Sequence, residues 1–525
     1  MKCNAALHFT IALLLLKTLM VDAQFLVAGQ IRTRTEVRNG LGNPVMKGAR
    51  PAIFTSQRTR LAVNWQQGAV SAAVALQDVR VWGADASTIS LSDGQRLMVH
   101  EAWAAVNIWP AKDTAAKHTG INALQLKLGR QELSYDDVRL LGNLDWLQQA
   151  RRHDMALLQF KHNGWRVELG NAFNQNSDAF GLAGTSYVPA NVPATVKNSL
   201  GLLVATPAGI IPLAASLQSN SSKYGLPLMS NPPGTNGATQ YYKSFTSLYV
   251  NKQWGRLELA ALLFNDRFGK YKLDSVGSTT QGYVYGRRFV TAGANDDFDY
   301  SGNHNRYTYG GMLRYKLGKN TTRGLVQTQA AWYVQSGRNR DGGVLQGAFH
   351  TTISANYQQG KWSIMPGYDI LSGNSATSLA DEKFDPLYGT PHKHWGYMDY
   401  FYVGTGSPAG GLKNAYLKVK YAHTLWSLSV DIHHFQLHRP MYLSTGDKIG
   451  RRLGNEMDLI YQYALHKLLS IEAGYGLMIA TPNMVLAKGI SQHRQGAEAY
   501  RRLGHWAYLM VSFRPEFRPS TASCN

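Results

Sequence analysis

Alternation of apolar and polar residues, in segments of about ten residues, is the feature that most constrains this chain. Residues 57–65 carry Leu61, Val63 and Trp65 on one face of an extended segment, and Arg58, Arg60 and Asn64 on the other. Residues 325–335 and 414–421 show the same period. A period of two is typical of a β-strand with one face in an apolar phase and the other in water.

No segment after residue 23 approaches the ~18 consecutive apolar residues of a membrane-spanning helix. The mean hydropathy is only −0.26 although 44% of the residues are hydrophobic. In lipid, only helices and closed sheets satisfy every backbone N–H and C=O group. The sequence therefore predicts an all-β protein, an antiparallel transmembrane β-barrel.

The alternating segments number about eighteen, an even number, as bacterial single-chain barrels require. Short turns such as 66–68, 162–164 and 359–360 alternate with long segments such as 175–240, 266–304 and 374–410, which predicts short periplasmic turns, long extracellular loops and periplasmic termini. The predicted strands cover residues 24–36, 53–66, 69–81, 97–108, 122–132, 154–162, 165–174, 241–252, 255–265, 305–317, 325–336, 346–358, 361–373, 411–421, 425–437, 455–464, 468–478 and 505–517.

Residues 1–23 have the pattern of a signal peptide, with Lys2, an apolar stretch over 11–16 and a small residue at Ala23. We therefore expect export, a barrel over residues 24–517 in the bacterial outer membrane, and a C-terminal tail over 518–525. Cys524 would be the single cysteine left after cleavage, so no internal disulfide is expected. The aromatic last strand suits recognition by the barrel assembly machinery.

The formal net charge is +21, and the signal peptide accounts for +1 of it. Outside the cytoplasm nucleic acid is a poor partner for this excess. Lipopolysaccharide, an anionic solute, or both remain as candidates.

Two positions fit the alternation poorly. Pro366 has no N–H for the ladder, so we expect a bulge or a strand boundary there. Strict alternation from Val70 puts Asp78 and Arg80 on the lipid face, which is costly at the bilayer midplane. We infer a bulge near Gln77 that returns both residues to the lumen, or a strand that already lies above the membrane.

Several segments resemble the alginate-export family of outer-membrane porins. They are residues 77–83 (QDVRVWG), 129–146 (GRQELSYDDVRLLGNLDW), 150–154 (ARRHD), 172–176 (AFNQN), 371–374 (LSGN) and 384–401 (FDPLYGTPHKHWGYMDYF). The resemblance runs over nearly the whole chain after residue 23, with little of it in 175–240 and 266–304. It implies an eighteen-stranded monomeric barrel with a constricted lumen that passes an anionic polyuronate or a related solute.

A pore that attracts carboxylates needs inward Arg or Lys side chains, and Arg can grip a carboxylate with two hydrogen bonds. These residues could contact the solute, form ion-pair ladders that brace the wall, or bind lipopolysaccharide phosphates at the rim. The candidate lumen residues are Arg32, Arg34, Arg58, Arg60, Asp78, Arg80, Lys127, Arg130, Arg139, Arg151 and Arg152.

Four acids on the late strands, Asp431, Glu456, Asp458 and Glu472, also have inward parity. Either the lumen is charge-polarised, with a transverse field in the constriction, or these acids neutralise arginines across the seam between the first and last strands.

Other chemistry has weak signals. His392, His394 and Asp399, or His433 and His434, could suggest a metal, but a zinc site needs three or four converging ligands and the last two point to opposite faces of a strand. We expect no metal and no cofactor. The aromatic residues Trp395, Tyr397, Tyr400 and Phe401 suggest an outer girdle or loop packing.

The sequence contains no recognisable nucleophile and base pair, so we expect no enzyme, and a barrel lipase is the least favoured alternative. The favoured function is passage of an anionic oligo- or polysaccharide, alginate-like, through a basic constriction. A general small-solute porin is the second hypothesis.

Overall fold

The computed structural model describes residues 24–83, 97–109, 123–174, 192–213, 242–292, 297–318, 321–402 and 407–517. The expected signal peptide (1–23) and the expected tail (518–525) lie outside these residues.

Eighteen antiparallel strands form one closed barrel, in agreement with the predicted number. Each strand pairs with its neighbours in chain order, and the last strand closes on the first from Ile31 opposite Phe513 to Asn39 opposite His505. The strands, β1 to β18, are Gln24–Asn39, Ala52–Gln67, Val70–Val81, Leu97–Trp109, Ala123–Gln131, His153–His162, Trp165–Phe173, Ser244–Trp254, Leu257–Gly269, Asn303–Gly318, Leu325–Arg338, Val344–Gln359, Trp362–Leu371, Leu412–Ala422, Trp426–Gln436, Arg452–His466, Leu469–Ala480 and Leu503–Phe513.

Alternation along each strand separates an apolar outer face from a polar inner face. Leu61, Leu128 and Leu509 are about half exposed on the outside, whereas Arg58 on the inside is buried. At the short-turn end, exposed tryptophans such as Trp165 form the aromatic girdle that sits at a membrane interface. The faces predicted from the period of two are therefore confirmed.

Short turns and long loops occupy opposite ends of the barrel. Asn163 and Gly164 connect β6 to β7 with φ of +45° and +76°, as a tight hairpin requires. Two short helices, α1 (Pro482–Ala487) and α2 (Arg494–Ala497), lie at the long-loop end, and a 3₁₀ turn at Pro391–Lys393 lies in the connection between β13 and β14. Within the described ranges no helix is long and apolar enough to cross a bilayer.

The long loops also contain short strands that lie outside the barrel wall. The pairs join Thr195–Lys197 with Leu203–Ala205, Gly282–Phe289 with both Ile210–Pro212 and Tyr271–Ser278, Thr291–Ala292 with Asp297–Phe298, and Met441–Tyr442 with Lys448–Ile449. Glu516–Phe517 continues the pairing of the chain end with β1.

The bulge expected at Pro366 is absent. Tyr357 pairs with Ile364 and Ser354 with Gly367, so the register between β12 and β13 is the same on both sides of Pro366. The ladder to β12 is interrupted there, while the pairing to β14 is continuous. The missing N–H of proline thus costs local pairing without shifting the strand.

A bulge does lie close to Gln77, but its extra residue is on the partner strand. Ala75 pairs with Glu101 and Leu76 with Val99, so His100 of β4 has no partner. The pairing of β3 with β2 continues without a shift through Asp78 and Arg80. The bulge therefore leaves the faces of β3 unchanged.

Candidate functional site

Loop A, residues 132–152 between β5 and β6, folds into the barrel and crosses its lumen. Four of its non-glycine residues, Asp136, Val138, Leu144 and Ala150, have φ between +48° and +62°. Such a conformation is rare for a β-branched residue like Val138 and costs about 1–3 kcal/mol per residue. Contacts with the barrel and with a second loop must therefore hold loop A in place.

Loop B, residues 372–411 between β13 and β14, also enters the lumen and packs on loop A. The N–H of Thr390 donates to the carbonyl of Val138 at 2.8 Å, and the N–H of Gly142 donates to the carbonyl of Tyr388 at 3.1 Å. A Cβ on Gly389 would overlap the carbonyl oxygen of Arg139. The two loops thus form one packed constriction.

Arg32 and Arg34 of β1 and Arg58 and Arg60 of β2, here called the arginine wall, face this constriction. Arg32 Nη1 donates to the Asp145 carbonyl at 2.8 Å, and Arg34 Nη1 to the Trp146 carbonyl at 2.9 Å. The Arg34 guanidinium also lies over the Trp146 ring, 4.5 Å from its centroid. The wall therefore binds backbone carbonyls of loop A.

Arg58 adds a forked ion pair to this anchor. Its Nη1 and Nη2 lie 2.8 and 3.2 Å from the two carboxylate oxygens of Asp145. Burial opposes the charge of that carboxylate, but the hydrogen bond from Arg58 and the nearby arginines outweigh burial and lower the pKa of Asp145. The fixed fork of a guanidinium suits this geometry better than an ammonium would.

Positive charge on the arginine wall and the neighbouring Arg38 exceeds the negative charge that pairs with it. Within the described part of the chain, five inward guanidinium groups of β1 and β2 share three carboxylates. The guanidinium groups are those of Arg32, Arg34, Arg38, Arg58 and Arg60, and the carboxylates are those of Glu36, Glu132 and Asp145. A local excess of positive charge therefore faces the lumen.

Arg60 and Lys127 face the lumen without holding loop A as tightly as Arg32 and Arg58 do. The Arg60 side chain is 17% exposed, and its carboxylate neighbours are 3.7 Å or more away, at Asp145 and Glu132. Lys127 Nζ lies 3.9 Å from the Trp103 ring centroid. Both side chains therefore keep part of their surface open to the lumen.

Loop A contains three of the predicted lumen arginines, Arg139, Arg151 and Arg152, and all three are buried in the constriction. Arg139 contacts Asp369 at 2.9 Å, and Arg151 Nη1 donates to the Gly389 carbonyl at 2.6 Å. Burial lowers the pKa of Arg151 and that of Arg152 to about 10 each, so both stay protonated at neutral pH. These groups connect loop A to loop B and the wall.

Three predicted lumen residues lie on the outer face instead. Arg80 pairs with Asp78 at 2.6 Å, because the bulge residue is on β4 and β3 keeps its alternation. Arg130 forms two 2.7 Å hydrogen bonds with Asp154. It lies between inward Gln131 and outward Leu128 on β5, so the alternation itself places it outside.

A buried ion-pair network that the sequence analysis missed holds loop B. Arg306 of β10 is fully buried and pairs with both Asp266 of β9 and Asp385 of loop B, and Arg340 pairs with the same Asp385. Burial opposes the charge of Asp385, but Arg340 and Arg306 lower its pKa below the usual range. The inward position of Arg306 in the alternation of β10 was the sequence signal that could have identified this network.

The four late acids have the inward parity that was predicted, and they serve loop B and neighbouring side chains. Glu456 accepts the Met398 N–H at 2.8 Å, and Asp458 accepts the Tyr397 N–H at 3.3 Å. Lys418 pairs with Asp431 at 2.6 Å, and the Tyr508 hydroxyl donates to Glu472 at 2.7 Å. In the described residues none of the four forms an ion pair with the arginine wall.

The histidine and aromatic clusters belong to loop packing. His392 pairs with Asp399 at 2.6 Å and stacks on Trp146, and His433 and His434 bond separately to Asn414 and Asn455. Among the residues that the structure describes, no group of three His, Cys, Asp or Glu could hold a metal ion. The aromatic set Trp395, Tyr400 and Phe401 is buried inside the barrel, not at an outer girdle.

Solved structures share this barrel. OccAB4 of Acinetobacter baumannii matches with a TM-score of 0.54 and 9% identity, over 94% of this chain and 98% of that one. OpdO of Pseudomonas aeruginosa matches with 0.52 and 11% identity, over the same shares, and OpdQ of the same organism with 0.50 and 10%. The fold is therefore that of bacterial outer-membrane channels.

A search of curated proteins found no match. A protein-family model does match the first part of the barrel, which contains strands β1 to β7 up to residue 172, the arginine wall and loop A. The resemblance found in the sequence is thus confirmed over residues 24–172, which match the alginate export family.

Proposed function

We propose that this barrel passes an anionic oligo- or polysaccharide, alginate-like, through a basic constriction formed by the arginine wall and loop A. The observation that carries the proposal is that five inward guanidinium groups of β1 and β2 share three carboxylates, Glu36 of β1 and Glu132 and Asp145 of loop A. The alginate export match over residues 24–172 supports the same solute class.

The chemistry divides the cations into two groups. Arg32, Arg34 and Arg58 hold loop A, and their charge adds to the field of the lumen. Arg60 and Lys127 are the cations that a passing carboxylate can contact. Conduction needs sites that attract the ion but release it, and partly exposed cations flanked by Glu132 and Asp145 meet this need.

Ion selectivity in planar bilayers tests the proposal. The double variant Arg60→Gln with Lys127→Gln removes two lumen charges and leaves Arg32, Arg34 and Arg58, which donate hydrogen bonds to loop A, in place. We expect the reversal potential in a salt gradient to shift toward cations, and block by oligouronate to weaken. The matched control is Arg80→Gln with Arg130→Gln, which removes two charges from the outer face. Unchanged selectivity in the lumen variant, or an equal shift in the control, would refute the proposal.

A general small-solute porin is the second candidate, and the packing of loops A and B across the lumen favours it. Gly389 fits against Arg139 with no room for a side chain, so the two loops pack on each other without a gap at this point. A small-solute pore would conduct salt without block by oligouronate of any length.

A further inference from the structure

Three loops at the long-loop end form one continuous surface, here called the rim sector: residues 40–51, 437–452 and 481–502. The Lys47 N–H donates to the Ala499 carbonyl at 2.9 Å, and the Arg501 N–H to the Val45 carbonyl at 2.7 Å. Arg494 Nη2 donates to the Lys448 carbonyl at 2.6 Å. The loops are consecutive around the mouth because β15 to β18, β1 and β2 are neighbours in the wall.

The rim sector is strongly basic at its surface. Two acids, Asp447 and Glu498, stand among nine Lys or Arg side chains that reach solvent. Seven of the nine are arginines, the residue that binds carboxylates with two parallel hydrogen bonds. The nine are Lys47, Arg50, Arg439, Lys448, Arg451, Arg452, Arg494, Arg501 and Arg502.

These cations differ in their pairing from those of the long loop between β9 and β10. Among described residues, Arg502 with Glu498 is the one ion pair of the rim sector, at 3.5 Å and with both side chains more than half exposed. In the loop region 270–302, by contrast, each of the four cations has a carboxylate partner. The four are Lys270, Lys272, Arg287 and Arg288.

The rim sector also covers loop B. Helix α1 buries Met484, Val485 and Leu486 in the core that contains Tyr400 of loop B. Lys488 Nζ donates to the carbonyls of Gly42 and Tyr400 at 2.9 and 2.5 Å. The exposed cations thus lie above the constriction, on the outside of the mouth.

We propose that the rim sector is a docking surface for a polyanionic polysaccharide at the long-loop mouth. The cations spread over three loops and do not converge on one point, which fits a chain with one carboxylate per sugar better than a single small anion. Several weak contacts of this kind add up by multivalency, and salt screens them because they are exposed. The inference rests on the proposed function and extends it from the constriction to the mouth.

Binding of oligouronates to the full chain in phospholipid nanodiscs without lipopolysaccharide tests the docking surface. We expect affinity to rise with oligomer length, fall with salt, and be absent for a neutral glucan. The rim variant combines Lys47→Gln, Arg50→Gln, Arg451→Gln and Arg502→Gln. It should weaken binding of long oligomers at least about tenfold and leave small-ion selectivity unchanged.

A matched control removes four cations elsewhere at the same end, by Lys197→Gln, Lys270→Gln, Lys272→Gln and Arg288→Gln. Equal weakening in the control, or full binding by the rim variant, would overturn the docking proposal. If the rim variant lost lipopolysaccharide binding but kept oligouronate binding, the docking proposal would also be overturned, in favour of lipid anchoring. The lumen variant at Arg60 and Lys127 reports on the proposed function separately, because it leaves every rim cation in place.

Discussion

Replacing Arg58 by methionine removes the fork that ties loop A to the second strand. Arg58 donates to both carboxylate oxygens of Asp145, at 2.8 and 3.2 Å, and to the Gln30 side-chain oxygen. Methionine keeps much of the apolar stem and removes the charge and all of these donors. The strand itself stays intact, because its backbone pairing does not depend on the guanidinium.

The size of the effect follows from the burial of the two partners. Breaking a fully buried ion pair costs about 3–5 kcal/mol. Here Arg58 is 1% exposed but the Asp145 side chain is 37% exposed, so water can resolvate the carboxylate that is left. We therefore expect a loss of about 1–2 kcal/mol, which raises the population of displaced loop A about 5- to 30-fold.

Single-channel recording in planar bilayers measures this population as current noise and brief changes of conductance. Arg58→Lys keeps the charge and loses the fork, so it should lie between wild type and Arg58→Met. Arg130→Met removes an equally bidentate pair on the outer face and should leave the current unchanged. Wild-type noise in Arg58→Met, or the same noise in Arg130→Met, would show that loop A does not depend on this anchor.

Three further predictions concern the same constriction. Gly389→Ala should separate the two loops and increase channel noise, because the added Cβ meets the Arg139 carbonyl; normal current would contradict this packing. Burial raises the pKa of Asp136 in loop A to about 6, although the Tyr249 hydroxyl donates a hydrogen bond to it. Protonation of Asp136 therefore stabilises the docked loop at low pH, and this stabilisation is lost as the pH rises from about 4 through 6. Noise should therefore be lower at pH 5 than at pH 7, and Asp136→Asn should abolish the difference. Arg306→Met should lower the free energy of unfolding in urea by about 3–5 kcal/mol, because the buried Asp266 carboxylate loses its ion-pair partner. An unchanged midpoint of urea unfolding would refute this prediction.

The face that most residues of the barrel wall occupy could be predicted from local alternation, and the wrong predictions have specific causes. Arg58 and Arg60 take the inward face that the pattern around Leu61 indicates. Arg130, in the segment 129–146 that resembles the alginate-export family, was predicted to face the lumen, although the alternation of its own strand places it on the outer face. The bulge near Gln77 was expected on the wrong strand, because a sequence pattern cannot show which of two partners carries the extra residue.

The sequence by itself determined the closed sheet, the number of its strands and the face on which most wall residues lie, because the period of two and the solvation of the backbone in lipid are local constraints. Only the tertiary structure decided that loops A and B fill the lumen and that the arginine wall holds them. Arg32 and Asp145 are 113 residues apart, and Leu144 and Thr390 are 246 apart. Contacts over such distances leave no periodic signal, so they appear only when the barrel brings the segments together.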